Sequence, residues 1–314
     1  AESLDALPAA DLGPEGHAIR DGDALLDMTP ALFEKFLTKR DAGGGRFVAE
    51  YYVSTSRGCP FRCAYCASST IKALYGGRRF FRLRSPVKVV EEVVALTGRF
   101  PFIRWIYFAD DDLFATPISR LEEFTRLWRE RVGLPFYATT APWSYDETKA
   151  ALLRDAGLEI LNIGIQSVSE RSARLYRRPT SRETLARVTA SVARLGLRQP
   201  PVYDFILDNP YETDADRLEN LDFILSLPRP LRLQLFSLVA FPGTELYDRM
   251  KADGLLADEA AMIYSKSYSY PAPDYINMLT FLAGTSVSRG LLRALRTRPF
   301  LWLFHNRAAR WAFR

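Results

Sequence analysis

The sequence predicts an α/β protein: a parallel sheet curled into a partial (β/α)6 TIM-like barrel, with an N-terminal lead-in and a C-terminal helical extension. Three observations predict it. Between residues 47 and 255, six Val/Ile/Leu/Phe/Tyr-rich runs of strand length alternate with six helix-length segments. Crossovers of that length join parallel strands. The runs are largely apolar, as strands covered by helices should be. Eight such units would close a full barrel, and six leave it partial. A length of 314 residues with 48% hydrophobic content suits one large α/β domain with appendages.

In order, residues 1–46 read as a lead-in. Thr29 and Pro30 look like the N-cap and first residue of a helix over 30–40, which Asp41-Ala-Gly-Gly-Gly45 ends in a flexible joint. Residues 47–255 form the barrel. Its first strand covers 51–56, and Ser85-Pro86 caps a helix to residue 96 with Val87, Val90, Val93 and Val94 on one face. A strand over 104–109 and a helix over 118–132 follow, then a strand over 135–140 and a helix over 145–156 stopped by Gly157. The fourth strand covers 159–165, and its helix, 182–195, is stopped by Gly196. The last units are a strand over 202–207 with a helix over 214–226, and a strand over 231–241 with a helix over 243–252. Residues 256–314 depart from the pattern.

Charge is mildly basic, 42 Lys and Arg against 37 Asp and Glu, with no long block of one sign. Nothing in that balance calls for a nucleic acid partner. There is no signal peptide and no apolar run of transmembrane length. The chain begins with Ala rather than Met, which suggests a piece of a longer protein.

All three cysteines lie in Cys59-Pro-Phe-Arg-Cys63-Ala-Tyr-Cys66, within the loop that follows the first strand. A structural zinc site wants four closed ligands, yet the only histidines, His17 and His305, are remote in sequence. An odd count and tight gaps disfavour disulfides. One curled loop with these spacings points three thiolates at a common centre, as a cubane iron–sulfur cluster requires. Three thiolates leave one of four irons open, and reduced thiols of this kind point to the cytoplasm.

The spacing C-x3-C-x2-C, with Tyr65 before the last Cys, resembles the signature of the radical S-adenosylmethionine (SAM) superfamily. The resemblance extends over residues 50–255. It implies a 4Fe–4S cluster on Cys59, Cys63 and Cys66 whose open iron chelates SAM. It also implies reductive SAM cleavage to a 5′-deoxyadenosyl radical that opens a substrate C–H bond, the cofactors carrying the hard chemistry. A reductant such as flavodoxin or ferredoxin and a small-molecule substrate would be the partners.

In parallel α/β folds ligands bind at the carboxyl ends of the strands, so the loops there carry the remaining candidates. Asp110-Asp-Asp112 follows the second strand, where adjacent carboxylates repel unless a cation is near. The resemblance gives Asp110 or Asp111 the SAM ammonium. The third strand ends in Thr139-Thr140-Ala-Pro-Trp143, a weaker set of polar candidates. After the fourth strand, Gly164-Ile-Gln166-Ser167 resembles the segment whose Gln or Glu approaches the SAM ribose. Arg178, twelve residues beyond Gln166 in an arginine-dense stretch read as helical, resembles the arginine that pairs with the SAM carboxylate. Asp204 is a charge inside an apolar strand, expensive unless paired or facing a ligand. It resembles the family Asp that reaches the ribose hydroxyls, although Asp208 stands where the family has Gly. Pro242-Gly-Thr244 and the opening Ser3-Leu-Asp-Ala-Leu-Pro8 are similar to segments of cobalamin-binding members. The Asp-x-His-x-x-Gly cobalamin signature does not occur in the sequence, so cobalamin is an expectation carried by the subfamily likeness.

In the tail, Tyr264, Tyr268, Tyr270 and Tyr275 are candidates for a substrate lid. From Ser286 onward there are seven Arg and no acid, with Phe300-Leu-Trp-Leu-Phe304 among them, a composition suited to peripheral contact with an anionic membrane. The main rival reading is an iron–sulfur electron carrier or sensor, which would need a fourth protein ligand.

Overall fold

In the computed structural model, which describes residues 3–8, 11, 14–40, 47–75, 80–306 and 309, the chain enters through an antiparallel hairpin of β1 (Ala18–Asp21) and β2 (Ala24–Asp27). The Thr29 hydroxyl then accepts from Leu32 N at 3.2 Å and caps α1 (Pro30–Leu37). The helix is shorter than its sequence pattern. Thr38–Arg40 instead forms β3, an antiparallel edge strand on β4 (Phe47–Val53) with Thr38 opposite Ala49. The predicted joint at 41–45 lies outside the described residues.

Beyond β4, the two-residue strands β5 (Ser56–Arg57) and β6 (Arg82–Leu83) pair across the cysteine loop and α2 (Ala67–Leu74). The alternation then runs α3 (Pro86–Arg99), β7 (Ile103–Phe108), α4 (Ile118–Arg131), β8 (Phe136–Thr140), α5 (Glu147–Ala156) and β9 (Leu158–Gln166). It continues with α6 (Glu170–Leu175), α7 (Arg182–Arg194), β10 (Val202–Leu207), α8 (Asp214–Ser226), β11 (Arg232–Ser237) and α9 (Glu245–Ala252). The main sheet has the order β11-β10-β9-β8-β7-β4-β3, and its first six strands are parallel. This is the expected six-unit half-barrel. All six carboxyl ends therefore open at one end, and the loops that follow them meet there. The short helix α6 was not anticipated, and β11 stops four residues earlier than its apolar run.

Helices and sheet share one core. The buried stripe of α3 is Val89, Val90, Val93 and Leu96. Val87, expected on that face, sits in the first turn at its margin and is exposed. Trp128 of α4 is fully buried, with its ring centroid 5.3 Å from Phe108, 5.3 Å from Phe124 and 5.5 Å from Phe136. Its indole N–H is bonded to Leu134 O at 2.9 Å, so the polar atom is satisfied as well. Gly157 ends α5 at φ +117°, where a Cβ would come within 3.1 Å of Leu134 O, so only glycine fits.

The tail adds α10 (Tyr275–Ala283), α11 (Arg289–Leu295) and α12 (Arg298–Phe304). Arg217 on α8 grips Asp274 at 2.6 Å and Asn277 at 3.0 Å, which docks α10 on α8. Tyr275 is buried, donates to Leu295 O and stacks on Phe304, so it belongs to the packed extension and not to a lid. The exposed Tyr268 and Tyr270 lie in the turn that crosses the carboxyl end of β11, where Tyr268 O accepts from Ser237 N at 2.7 Å. Arg289, Arg293 and Arg296 bond Leu227 O, Leu225 O and Asp222, closing the extension onto the end of α8. No helix among the described residues is long and apolar enough to cross a membrane.

Trp128→Ala should leave a cavity that its aromatic neighbours cannot fill. A loss of about 3–5 kcal/mol in urea-measured stability is expected.

Candidate active site

The cysteine loop is held from both sides by backbone. Ala64 N donates to Tyr176 O at 3.0 Å, and Ala64 O accepts from Leu246 N at 2.9 Å. The loop is thus clamped between the turn after α6 and the start of α9. Lys72 Nζ reaches Pro60 O at 2.7 Å, and the Thr70 hydroxyl reaches Gly243 O at 2.8 Å. Gly58, just before the first cysteine, has φ +81°, and a Cβ there would lie 2.7 Å from the Phe80 ring. The close approach of Phe80 and the left-handed backbone both require glycine.

Cys59, Cys63 and Cys66 are all free and half-buried. Burial pushes the Cys59 thiol up to about 12, with Asp111 and Asp112 adding to the rise. Burial also raises Cys63, against the pull of Arg178. Metal binding at such thiols must displace their protons. No three His, Cys, Asp or Glu side chains among the described residues close on a single metal ion.

Arg178 lies in the turn after α6 rather than in a helix, and it is buried. Its guanidinium donates to the Tyr65 hydroxyl at 2.9 Å, to Gly164 O, and toward Cys63 Sγ at 3.8 Å. One side chain thereby joins the cysteine loop to the carboxyl end of β9. The site also contains buried acceptors that lack partners among the described residues: Asn162 Oδ1, Gln166 Oε1 and Asp204 Oδ1. Gln166 adopts φ +71°, which the shift in pairing between β9 and β10 accompanies. Asp204 faces away from the helix-side core that Tyr203 and Phe205 enter, and Asn162 Nδ2 donates to its other oxygen at 3.1 Å. Tyr52, Tyr107 and Tyr137 stack beside them with centroids 4.5 and 4.2 Å apart, and Thr139 bonds the Tyr137 hydroxyl. Acceptors without donors, on the inner face below the cysteines, suit a ligand that brings hydroxyl or ammonium protons.

The three consecutive aspartates divide sharply. Asp110 is buried and accepts from Thr55 N and Oγ1 and from Ser56 N and Oγ, at distances between 2.5 and 3.1 Å. Its lone pairs tie β7 to the strand that leads into the cysteines, which corrects its expected role at the ammonium. Asp112 is likewise consumed by Ala141 N at 2.8 Å and by Ser144, and burial raises its carboxyl to about 6. Asp111 is exposed, accepts from the Ser68 hydroxyl at 3.1 Å and adds its charge at Cys59, and among the described residues it has no further side-chain partner. Ser167 is a second correction. Its hydroxyl serves Glu212 at 2.8 Å and Asn220 at 3.2 Å on the outer side of β9. Asp208 takes the glycine position at φ +60° and accepts from Ser237, Ala272 N and Asn277, so it latches the tail to β10.

Asn162 is absent from the sequence candidates, although it carries the signal used for Asp204, a polar residue inside an apolar strand. Trp143 stands among them only as the end of the weak Thr139–Trp143 set, with no role of its own.

A family model described as the Radical SAM superfamily matches residues 53–224, more than half of the chain. Two curated relatives are uncharacterized methyltransferases, each 26% identical to this chain. That of Pyrococcus horikoshii aligns over 204 residues, 65% of this chain and 42% of its own length. That of a Synechocystis species aligns over 216 residues, 66% and 38%. The chain therefore spans about two-fifths of the relatives it matches. Among solved structures, the radical SAM methyltransferase TsrM from Kitasatospora setae, with cobalamin and a 4Fe–4S cluster bound, has a TM-score of 0.54. It is 18% identical, over 66% of this chain and 40% of its own.

Asp110→Ala should strand four buried donors and lower urea-measured stability by about 3 kcal/mol, whereas Asp111→Ala should leave it unchanged. Burial lifts the Asp204 carboxyl to about 7, against the bond from Asn162 and the charge of Arg178. A carboxyl raised on folding favours the folded state below its unfolded value of about 4 and loses that advantage as pH climbs through about 7. Asp204→Asn should flatten this part of the stability–pH profile of the cofactor-free protein.

Proposed function

The chain belongs to the radical SAM superfamily, and on that premise we propose that it binds a 4Fe–4S cluster through Cys59, Cys63 and Cys66 and uses SAM to open a C–H bond of a small-molecule substrate. The observation that carries this reading is the meeting of three free thiols with a buried arginine at the carboxyl ends of the sheet. When bound, cluster and SAM supply one-electron cleavage of the sulfonium and the hydrogen-atom abstraction that follows.

The residues of this chain bind and orient. Arg178 presents fixed positive charge beside Cys63, matched to a carboxylate. Asp111 offers a carboxylate to an ammonium. Asp204, Asn162 and Gln166 offer bare acceptors to hydroxyls on the inner face. Tyr65, bonded to Arg178 and edge-on to Tyr176 at 5.0 Å, closes the floor under the loop against water. The tail segment across β11, latched by Asp208, Lys266 and Ser237, bounds the same opening on its far side.

C-methylation assisted by cobalamin is the reaction favoured by the relatives named as methyltransferases and by the cofactors of TsrM. The reductant would be a flavodoxin or ferredoxin, in the cytoplasm. The exposed Trp302 and Leu303 of α12, with Arg298 beside them, support peripheral contact with an anionic membrane. Neither histidine supports the rival electron-carrier reading as a fourth ligand: His305 is engaged by Asp214 on α8 at 3.2 Å, and His17 lies at the entry hairpin.

Each of Cys59→Ala, Cys63→Ala and Cys66→Ala should abolish formation of 5′-deoxyadenosine from SAM under anaerobic reduction, read by mass spectrometry. Formation that persists in all three variants would refute the assignment.

A further inference from the structure

Two hydrogen-bond donors beside the cysteine loop have no acceptor among the described residues. Trp143, in the loop after β8, lies face-on to the Arg178 guanidinium, 4.4 Å from its carbon to the ring centroid. It also stands edge-on to Phe61 of the cysteine loop, with centroids 5.2 Å apart. Its indole N–H is shut off from solvent and unpartnered, and so is Arg178 Nε. The other two guanidinium nitrogens are engaged by Tyr65, Cys63 and Gly164. A buried donor left unpaired is costly, and two in adjacent side chains, one of them cationic, fit an acceptor with two oxygens. The indole is a donor only, so no rearrangement of its own can satisfy it.

We propose that Trp143 positions Arg178 and, through its indole N–H, shares with Arg178 Nε the α-carboxylate of the bound methionine moiety. The proposal rests on the reading that SAM binds here. The ring holds the guanidinium flat by cation–π contact, and Nε is the guanidinium nitrogen left for the ligand. A merely structural Trp143 would pack Phe61 and do nothing else.

Two nucleosides separate these roles in the anaerobically reconstituted protein: S-adenosylhomocysteine, which has the carboxylate, and 5′-methylthioadenosine, which lacks the amino acid portion. Trp143→Phe keeps the aromatic plate and removes the N–H. It should weaken S-adenosylhomocysteine about tenfold by equilibrium dialysis and leave methylthioadenosine unchanged. Trp143→Ala also removes the plate and should weaken S-adenosylhomocysteine further, again sparing methylthioadenosine, whose binding serves as the check on folding. Wild-type affinity for S-adenosylhomocysteine in Trp143→Phe, or equal loss for both nucleosides, would overturn the proposal alone. Wild-type protein that binds neither nucleoside would overturn the SAM reading beneath it.

Discussion

The rest of the site depends on how rigidly the cysteine loop is seated. Thiolates that must each meet a different iron tolerate little drift, and a short loop rich in Gly, Pro and Arg has no internal ladder to stop it. The stiffness comes from outside: a backbone clamp at Ala64 from two directions, a glycine squeezed against Phe80, and Asp110 binding Thr55 and Ser56 beneath. Arg178 adds the link that matters for chemistry, because it touches the loop at Cys63 and Tyr65 and the sheet at Gly164. Movement of β9 relative to the cysteines would break charge-assisted bonds at once.

Satisfied and unsatisfied groups then sort by purpose. The groups that seat the loop are paired: Ala64 with Tyr176 and Leu246, Lys72 with Pro60, Thr70 with Gly243. On the inner face the buried acceptors of Asn162, Gln166 and Asp204 stand bare, next to the bare donors of Trp143 and Arg178. Native proteins leave few such groups, and unpaired atoms of both signs around Arg178 suit a ligand that carries donors at one end and a carboxylate at another. The lifted carboxyl of Asp204 belongs to the same picture, since burial without a full set of donors favours its neutral form until something supplies them.

The alternation of strands and helices was legible because apolar runs and 3.6-residue stripes are local and repeat along the chain. The cysteine trio was legible because only a few chemistries use that spacing. Sequence could not separate Asp110, Asp111 and Asp112, three identical side chains in a row. Their fates were decided by hydroxyls and amides at Thr55, Ser56, Ala141 and Ser144, far away in sequence. The same holds for Ser167, whose hydroxyl turned outward to Asn220, and for Thr38, where an edge ladder overrode the helix that Thr29 had started. Trp143 carried only its place at the end of the third strand, and the meeting of the β8 loop with the turn after α6 gave it a partner in Arg178.

The central claim is that three protein thiolates hold a cubane with one iron left for an exogenous ligand. Electron paramagnetic resonance of the anaerobically reconstituted, reduced protein, recorded with and without SAM, tests it most directly. The account predicts a 4Fe–4S signal whose g-values shift when SAM is added. A protein that takes up no cluster, or a cluster whose spectrum ignores SAM, would contradict it.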